Sequence, residues 1–300
     1  MNDILDWGIK VILWVQQARP VLDLPARAIT FCGEELFFLL FLPLIYWCLD
    51  RRNGAWLTVT FLVSAYINAL AKTLAGQPRP ADYSDSVWAF SDVGGSGGFP
   101  SGHTQHSVVV WGFLAARWRK AWVWGVAIAA MLLIPLSRIY LGVHFPHDLA
   151  GGYLIGGLLL LASLYVGPYL IRWIAARDLI VQLCIIAAGA LALALVFPTE
   201  DGITGGASLL GAGLGLVLER RWVRFEVSGV LWKRVLRFVL GAVGLFAAWA
   251  GLRILFAGLE PAGVYRFVRY TALTGWAALG APWAFVRLGL ATARSVEPQP

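Results

Sequence analysis

The chain has 300 residues, of which 59% are hydrophobic and only 14% are charged, and its formal net charge is +7 at pH 7. Soluble domains are roughly half apolar and about one quarter charged, and a water-soluble core of this size could not bury 15 tryptophans and several apolar stretches of near-bilayer length. The composition therefore indicates an integral membrane protein and excludes disordered, collagenous and nucleic-acid-binding chains, while the positive charge is assigned to cytoplasmic loops.

The N-terminal segment carries Asp3 and Asp6 where a cleaved signal peptide has a basic head, so we expect it to be retained. Its apolar part, residues 4–15, is short for a membrane span and includes Lys10. Residues 1–30 are therefore predicted to form a helix that lies in the membrane interface.

Nine apolar segments follow, and each is a candidate membrane span. Their approximate bounds are 31–49, 55–75, 104–118, 121–137, 149–171, 179–197, 203–218, 235–257 and 264–290. The predicted fold class is all-α, a polytopic membrane helical bundle of about nine transmembrane helices after the interfacial helix. Three domains are predicted: the N-terminal helix at 1–30, a helical core at 31–197, and additional C-terminal transmembrane helices at 198–300. Small-residue spacings at Gly152-x-x-x-Gly156 and Gly211-x-x-x-Gly215 predict close helix packing.

Alternating crossings divide the basic residues between two faces of the membrane. Fifteen Lys and Arg residues fall on one face and nine on the other. The positive-inside rule makes the richer face cytoplasmic, together with the C-terminus. The N-terminus, the 76–103 loop and the 138–148 segment are then expected outside.

Polar residues cluster at this outer boundary. All four histidines fall within residues 99–106 and 137–148, and the 72–80 segment is predicted to lie beside them. Three basic side chains, Lys72, Arg79 and Arg138, converge there, and guanidinium groups match the paired oxygens of a phosphate. The cluster therefore predicts a site for a tetrahedral anion. Glu34 and Glu35, just inside the first span, are expected to pair with an arginine or to line the mouth of the site.

The spacing of these residues also predicts the type of reaction. Ser101 precedes an apolar helix and is expected to cap it, so that the N–H groups of Gly102 and His103 point at the anion. Phosphoryl transfer needs one group to attack phosphorus and another to protonate the departing oxygen. His144 and Asp148 are one helical turn apart, so the carboxylate can orient the imidazole. This makes His144 the expected nucleophile and His103 the expected general acid.

Three motifs in this order resemble the signature of the type 2 phosphatidic-acid phosphatase superfamily, which also includes vanadium haloperoxidases and glucose-6-phosphatase-like enzymes. They are Lys, six residues, Arg-Pro at 72–80; Pro-Ser-Gly-His at 100–103; and Ser-Arg, five residues, His, three residues, Asp at 137–148. The resemblance implies hydrolysis of a phosphate ester through a phosphohistidine, with no metal and no cofactor. It assigns His144 as nucleophile, Asp148 as its orienting partner and His103 as the acid that becomes the base for water. The implied phosphate cradle comprises Lys72, Arg79, Ser101, Gly102 and Arg138.

The membrane setting argues for a lipid substrate, and the bilayer and this lipid are the expected partners, with no nucleic acid. Candidates are isoprenyl (undecaprenyl) mono- or diphosphate, glycerophospholipid phosphates such as phosphatidic acid or phosphatidylglycerophosphate, and sphingoid-base phosphates. The sequence does not choose among them, nor does it predict an oligomeric state. The expected location is the cytoplasmic (inner) membrane, with the active site on the extracytoplasmic face.

Several alternatives stay open at the sequence level. A lipid phosphotransferase would use the same residues, and a non-catalytic phospholipid binder or transporter would use the basic cluster alone. A metal site built from the histidines and Asp148 is disfavoured by three adjacent cations. A haloperoxidase would share the anion cradle, but it would usually be a soluble chain. The three spans beyond residue 200 carry no motif that assigns them a role.

Overall fold

The computed structural model describes residues 2–90 and 97–294. Over this range the regular structure is helical, apart from one isolated β-bridge between Phe225 and Ala293. The predicted all-α membrane fold is confirmed. Residues 91–96 of the predicted outer loop and residues 295–300 of the predicted C-terminal domain lie outside the described residues.

The helices are numbered here in chain order. They are α1 (Asn2–Gln16), α2 (Asp23–Phe31), α3 (Glu35–Leu44), α4 (Arg51–Ala75), α5 (Pro80–Tyr83), α6 (Gly102–Trp118), α7 (Ala121–Tyr140), α8 (Pro146–Leu161), α9 (Gly167–Ala175), α10 (Leu179–Val196), α11 (Glu200–Leu218), α12 (Leu231–Leu255), α13 (Ala262–Gly275) and α14 (Ala281–Arg287). Single π-helical turns follow α3, α8, α11 and α13, at Ile45–Leu49, Ala162–Val166, Glu219–Val223 and Trp276–Gly280.

Six helical stretches within the described residues are long and apolar enough to cross a membrane. They are Arg51–Tyr83, Ala121–Tyr140, Pro146–Ala175, Leu179–Val196, Glu200–Val223 and Leu231–Leu255. A seventh is obtained if α2 and the stretch Glu35–Leu49, which meet at a 48° bend, act as one span. The predicted count of nine is not confirmed, because α6 has only 17 residues and the helices from α13 onward do not meet the same criteria.

The N-terminal segment contains two helices rather than one. α1 ends at Gln16, and turns occupy residues 17–22 before α2 begins at Asp23. Pro20 lies within these turns, and proline has no backbone N–H to continue a helix. α1 buries Leu5 and Ile12 against a cluster that includes Phe145. The location of this segment in the membrane interface stays a prediction.

The chain divides into two compact units, and each is described by itself. The first is Met1–Phe38 with Ser64–Tyr169, and the second is Leu39–Val63 with Leu170–Pro300. The predicted domain limits at residues 30 and 197 were drawn along the sequence and stay a prediction.

In the first unit, α6 packs against both α7 and α8. The glycines of α8 permit this close approach: a Cβ at Gly152 would lie 2.7 Å from the carbonyl oxygen of Ser101, and one at Gly156 would lie 2.8 Å from that of Gln105. The predicted close packing of this small-residue pair is confirmed. It brings the start of α6 beside the start of α8.

In the second unit, α11 packs against α10 and α13. Gly215 lets its helix approach Ala278, since a Cβ there would lie 2.7 Å from the Ala278 methyl group, and Gly211 lies against the backbone of Thr271. An aromatic core around Trp47 lies next to this contact, since Leu216 and Ala277 pack against it. The predicted packing role of the second glycine pair is also confirmed.

Candidate active site

The start of α8 holds the first part of the candidate site. Asp148 occupies the first turn of this helix, and its carboxylate accepts the backbone N–H of Phe145 over 2.9 Å. This bond satisfies one of the amide groups that a helix N-terminus leaves unpaired. The same oxygen, Oδ2, lies 3.2 Å from Nδ1 of His144. Because both side chains are buried, at 2% and 0% exposed, His144 and Asp148 form an enclosed pair.

Gln77 and His147 complete the surroundings of the Asp148 carboxylate. Nε2 of Gln77 donates to Oδ1 of Asp148 over 2.9 Å and lies 2.6 Å from Nε2 of His147. The His147 ring stacks on Phe99 and Phe145, with centroid distances of 6.4 and 5.3 Å. Hydrogen-bond donors therefore reach both carboxylate oxygens, which fixes the orientation of the carboxylate.

The start of α6 forms the second part of the site. Ser101 caps the helix as predicted, since its Oγ accepts the backbone N–H of Thr104 over 3.5 Å. The backbone N–H of Ser101 donates to the carbonyl oxygen of Asp148 over 3.0 Å. Gly102 lies against Asn68, because a Cβ there would lie 2.9 Å from the Asn68 Oδ1. The motif is thereby attached to α8 and α4, and the positive end of the α6 dipole lies next to α8.

The two arginines of the predicted cradle are buried, and each donates a hydrogen bond to a neighbouring segment. Nη1 of Arg79 donates to the carbonyl oxygen of Val143 over 3.0 Å, directly before His144. Nη1 of Arg138 donates to Oγ1 of Thr30 over 2.6 Å. The buried Nε of Arg138 has no hydrogen-bond partner among the described residues. Since burying an unsatisfied charged donor is costly, this group favours an anionic ligand.

Lys72 lies in the last turn of α4. Its Nζ donates to the carbonyl oxygen of Gly97 over 2.6 Å. The next residue, Gly98, approaches the site closely, because a Cβ there would lie 2.8 Å from the carbonyl oxygen of Pro78 and 3.4 Å from Oδ2 of Asp148. The lysine thus contacts the chain that leads into the Ser101 motif.

His103 lies beside the break between α2 and α3. Its Nε2 lies 3.4 Å from Oε1 of Glu34, and Nη1 of Arg138 lies 3.8 Å from the same oxygen. A Cβ at Gly33 would lie 2.6 Å from Cδ2 of the His103 ring, so only glycine fits there without displacing the imidazole. The expected pairing of Glu34 with an arginine is confirmed, and a second carboxylate–imidazole contact accompanies the His144–Asp148 pair.

A row of buried polar side chains supports the Ser101 motif from below. Nε2 of Gln105 donates to both the carbonyl and the hydroxyl oxygen of Ser64, over 2.8 and 2.9 Å. Its Oε1 accepts Nδ2 of Asn68 over 2.9 Å, and the same amide lies 3.4 Å from the carbonyl oxygen of Pro100. All three side chains are buried. The row therefore links α4 and α6 directly beneath the predicted anion site.

The surroundings of His144 favour its neutral form. Burial, and then the nearby charges of Arg138, Lys72 and Arg79, lower the pKa of His144 well below its ordinary value. The imidazole is therefore neutral at pH 7. Because Nδ1 faces Asp148, Nε2 keeps the lone pair that a nucleophile needs.

The histidines are divided among different partners. His103 contacts Glu34, whereas His144 and His147 both lie next to Asp148. In residues 2–90 and 97–294, no three His, Cys, Asp or Glu side chains are grouped closely enough to hold a metal ion.

Contacts within the first unit join all three motifs into one arrangement. Sequence reasoning missed the residues that support it, because these belong to none of the motifs or lie at positions that the motifs leave undefined. A usable signal was present, since amide side chains inside apolar helices are costly unless they are paired. The missed supporting residues are Thr30, Gly33, Ser64, Asn68, Gln77 and Gln105.

Two family models match the chain in sequence. Residues 53–172, which contain the whole arrangement around His144 apart from the Glu34 segment, match the PAP2 superfamily. Residues 203–293 match the transmembrane extension of PAP2 superfamily phosphatases. The chain belongs to the PAP2 superfamily. The C-terminal helices, which no motif explained, are thus a recognised extension of PAP2 phosphatases.

Similar PAP2 proteins are named phosphatases of several lipids. Sphingosine-1-phosphate phosphatase 2 of Mus musculus is 27% identical over 196 residues, which cover 62% of this chain and 54% of that protein. Undecaprenyl-diphosphatase of Sulfolobus acidocaldarius is 26% identical over 39% of this chain and 56% of its own length. Lipid A 4'-phosphatase of Bacteroides thetaiotaomicron is 34% identical over a match that covers 34% of this chain and 47% of that protein. The chain spans about half the length of the curated relatives that it matches.

Proposed function

We propose that the protein is an integral membrane phosphatase that hydrolyses a lipid phosphate or diphosphate through a phosphohistidine intermediate. The observation that carries the proposal is the buried His144–Asp148 pair. Two buried arginines, Arg79 and Arg138, are near enough for their charges to lower the pKa of its imidazole. Ser101, at the start of the helix that bears His103, is hydrogen-bonded to Asp148. A phosphate-binding site alone needs cations and amide groups, but it needs no oriented imidazole.

In the first step, the phosphate group enters the cradle of Lys72, Arg79, Arg138 and the amide groups at the start of α6. Nε2 of His144 attacks phosphorus, so that an N–P bond forms while the bond to the lipid oxygen breaks. The attack places positive charge on the imidazole, and the Asp148 carboxylate at Nδ1 stabilises it.

His103 donates a proton to the departing lipid oxygen in this step. It then accepts a proton from the water that attacks the phosphohistidine, which releases inorganic phosphate and restores His144. The proton balance closes within one turnover. Glu34, 3.4 Å from Nε2 of His103, favours the protonated imidazole that the first step requires.

The proposed substrate is a lipid because the site lies at the ends of apolar helices. Isoprenyl, glycerophospholipid and sphingoid-base phosphates are all candidates, and the names of the relatives include phosphatases of sphingosine-1-phosphate, undecaprenyl diphosphate and lipid A. Matches of similar strength to enzymes of such different lipids favour none of them.

The proposed topology follows the distribution of charge. We place the site at the outer face of the cytoplasmic membrane and the C-terminus in the cytoplasm, with about nine crossings that include α6 and the stretch beginning at α13. α1 is proposed to lie in the interface, and its exposed Trp7 and Trp14, at 52% and 71%, support this location.

The test is phosphate release by purified protein in detergent micelles with excess EDTA, across a panel of isoprenyl, glycero- and sphingolipid phosphates. Release that depends on His144, and is therefore lost in His144→Ala, supports the phosphatase and ranks its substrates. If the phosphoryl group instead appears on a second added lipid, the protein is a phosphotransferase. Binding of a lipid phosphate with no turnover of any kind would contradict the proposal and favour a binder or transporter.

A further inference from the structure

A basic cleft lies in the second unit, at the end of α4 that is opposite to Lys72. Its volume is about 660 Å³, and its walls come from the start of α4, the π-helical turn after α11 and the segment that follows this turn. None of the residues that line the cleft belongs to the candidate active site. Five arginines line it: Arg51, Arg52, Arg220, Arg224 and Arg294.

The positive charge of the cleft is only partly neutralised within the protein. Asp50 and Glu226 also line it, and the Asp50 carboxylate already accepts both the backbone and the side-chain N–H groups of Asn53. The guanidinium groups of Arg52 and Arg220 are exposed and form no ion pair with the residues that the structure describes. These two arginines are therefore available to an anion from outside the chain.

A buried carboxylate holds one wall of the cleft in place. Glu219 is 1% exposed and accepts Nε and Nη2 of Arg51 over 3.1 and 2.5 Å. Its other oxygen accepts the backbone N–H of Phe225 over 3.0 Å. The start of α4 is thereby fixed to the segment after α11.

A fully buried arginine holds the neighbouring segment. Arg237, on α12, donates to the carbonyl oxygens of Trp47, Glu226 and Ser228 over 3.2, 3.4 and 2.6 Å. The cleft is thus built on a buried polar framework, whereas arginines on a mobile loop would have no fixed geometry. Such pre-organisation lowers the entropic cost of binding a ligand.

The cleft lies at the ends of candidate membrane spans. Three candidate spans have their ends at it: one begins at Arg51, one ends at Val223 and one begins at Leu231. Trp222 and Trp232 flank the cleft segment in sequence and are 67% and 57% exposed. Exposed tryptophans at the ends of spans are typical of the boundary between membrane and water.

We propose that this cleft binds the phosphate group of an anionic phospholipid headgroup. Arginine forks pair with phosphate oxygens in bidentate geometry, and the cleft has room for a headgroup beyond the phosphate itself. The position at the ends of spans favours a lipid over a dissolved anion, because the lipid is delivered from the bilayer at high local concentration. The site gives the C-terminal extension a binding role that does not depend on the proposed catalytic function.

Native mass spectrometry of the full-length protein tests the proposal. The protein in detergent is exposed to equal amounts of phosphatidylglycerol and phosphatidylcholine, and the retained lipids are counted. We expect preferential retention of phosphatidylglycerol by the wild type. The double variant Arg52→Gln with Arg220→Gln should weaken this retention by roughly tenfold or more, because it loses at least one hydrogen bond to a charged group.

The matched control is Arg172→Gln with Arg177→Gln. These two arginines lie on the same predicted cytoplasmic face but outside the cleft, and we expect this variant to retain the lipid. Arg220→Lys should lose part of the preference although it keeps the charge. An equal loss in both double variants would overturn the proposal in favour of general surface charge. Displacement of the lipid by millimolar inorganic phosphate would overturn it in favour of a soluble anion. Elution of each variant as a monodisperse peak, with unchanged phosphate release, verifies that it is folded.

Discussion

Asp148→Asn is the substitution that separates the electrostatic role of Asp148 from its structural one. The side chain keeps its size, and one amide oxygen can still accept the backbone N–H of Phe145, which lies 2.9 Å from Oδ2 in the wild type. The other oxygen, which accepts Nε2 of Gln77 over 2.9 Å in the wild type, becomes an amide NH2 group, and this group can donate to Oε1 of Gln77 if the Gln77 amide rotates. The helix start should therefore survive, whereas the negative charge beside His144 is lost.

The expected loss of kcat follows from the role of this charge in the first step. When Nε2 of His144 bonds to phosphorus, the ring becomes cationic, and its Nδ1–H donates to an oxygen 3.2 Å away in a fully buried setting. A hydrogen bond to a charged group contributes about 1.5–3 kcal/mol. Replacement of the orienting aspartate of a serine protease triad, where the tautomer is also lost, reduces kcat about 10⁴-fold. We expect kcat to fall between about 10²- and 10⁴-fold, or about 3–5 kcal/mol in activation free energy.

The assay is the initial rate of phosphate release in mixed micelles, with kcat and KM determined separately. KM should change little, because the cradle of cations and amide groups is retained. Asp178→Asn, at an exposed position before α10, is the matched control and should keep the wild-type rate. A kcat for Asp148→Asn within about threefold of the wild type would refute the assigned role of the carboxylate.

Three further substitutions test the supporting residues. Glu34→Gln should lower kcat at pH 7 about tenfold, because the carboxylate 3.4 Å from Nε2 of His103 favours the protonated acid. An unchanged kcat would exclude the Glu34–His103 contact from the mechanism. Gly102→Ala should destabilise the site by about 1–3 kcal/mol, since its Cβ would lie 2.9 Å from Oδ1 of Asn68; activity should return in part when Asn68→Ala is added, and no recovery would contradict the steric account. Gln105→Leu removes three buried hydrogen bonds and should cost about 2–4 kcal/mol; thermal unfolding in detergent measures this, and an unchanged midpoint would show that the row does not stabilise the fold.

The local contacts of the candidate site were predictable because they depend on spacing along the chain. His144 and Asp148 are four positions apart and were expected to be in contact, although His144 precedes α8 and does not lie within a helical turn. Ser101 directly before an apolar helix predicts a cap, so local spacing sufficed for these contacts. The packing of Gly152 and Gly156 was predictable for the same reason, since small residues one turn apart permit close approach of two helices.

The supporting residues were not predictable because their contacts are non-local. Asn68 and Gln105 are 37 residues apart and meet only when α4 and α6 pack together. Likewise, Thr30 meets Arg138 across 108 residues, and the bend after α2 that brings it there has no strong sequence signal. The predicted count of nine spans is not confirmed, because it was made from apolar composition without the helix lengths and α6 has only 17 residues.

Direct detection of the covalent intermediate tests the central claim. His103→Ala is mixed with an aryl phosphate whose leaving group needs no acid, quenched in alkali, digested and examined by mass spectrometry. We expect the phosphohistidine to form but not to be hydrolysed, because the base for water is missing. A phosphoryl group should therefore accumulate on the peptide that contains His144. It should be absent when His144→Ala is added. Turnover of the aryl phosphate by the wild type with no phosphorylated peptide in any variant, or with the label on another residue, would contradict the central claim.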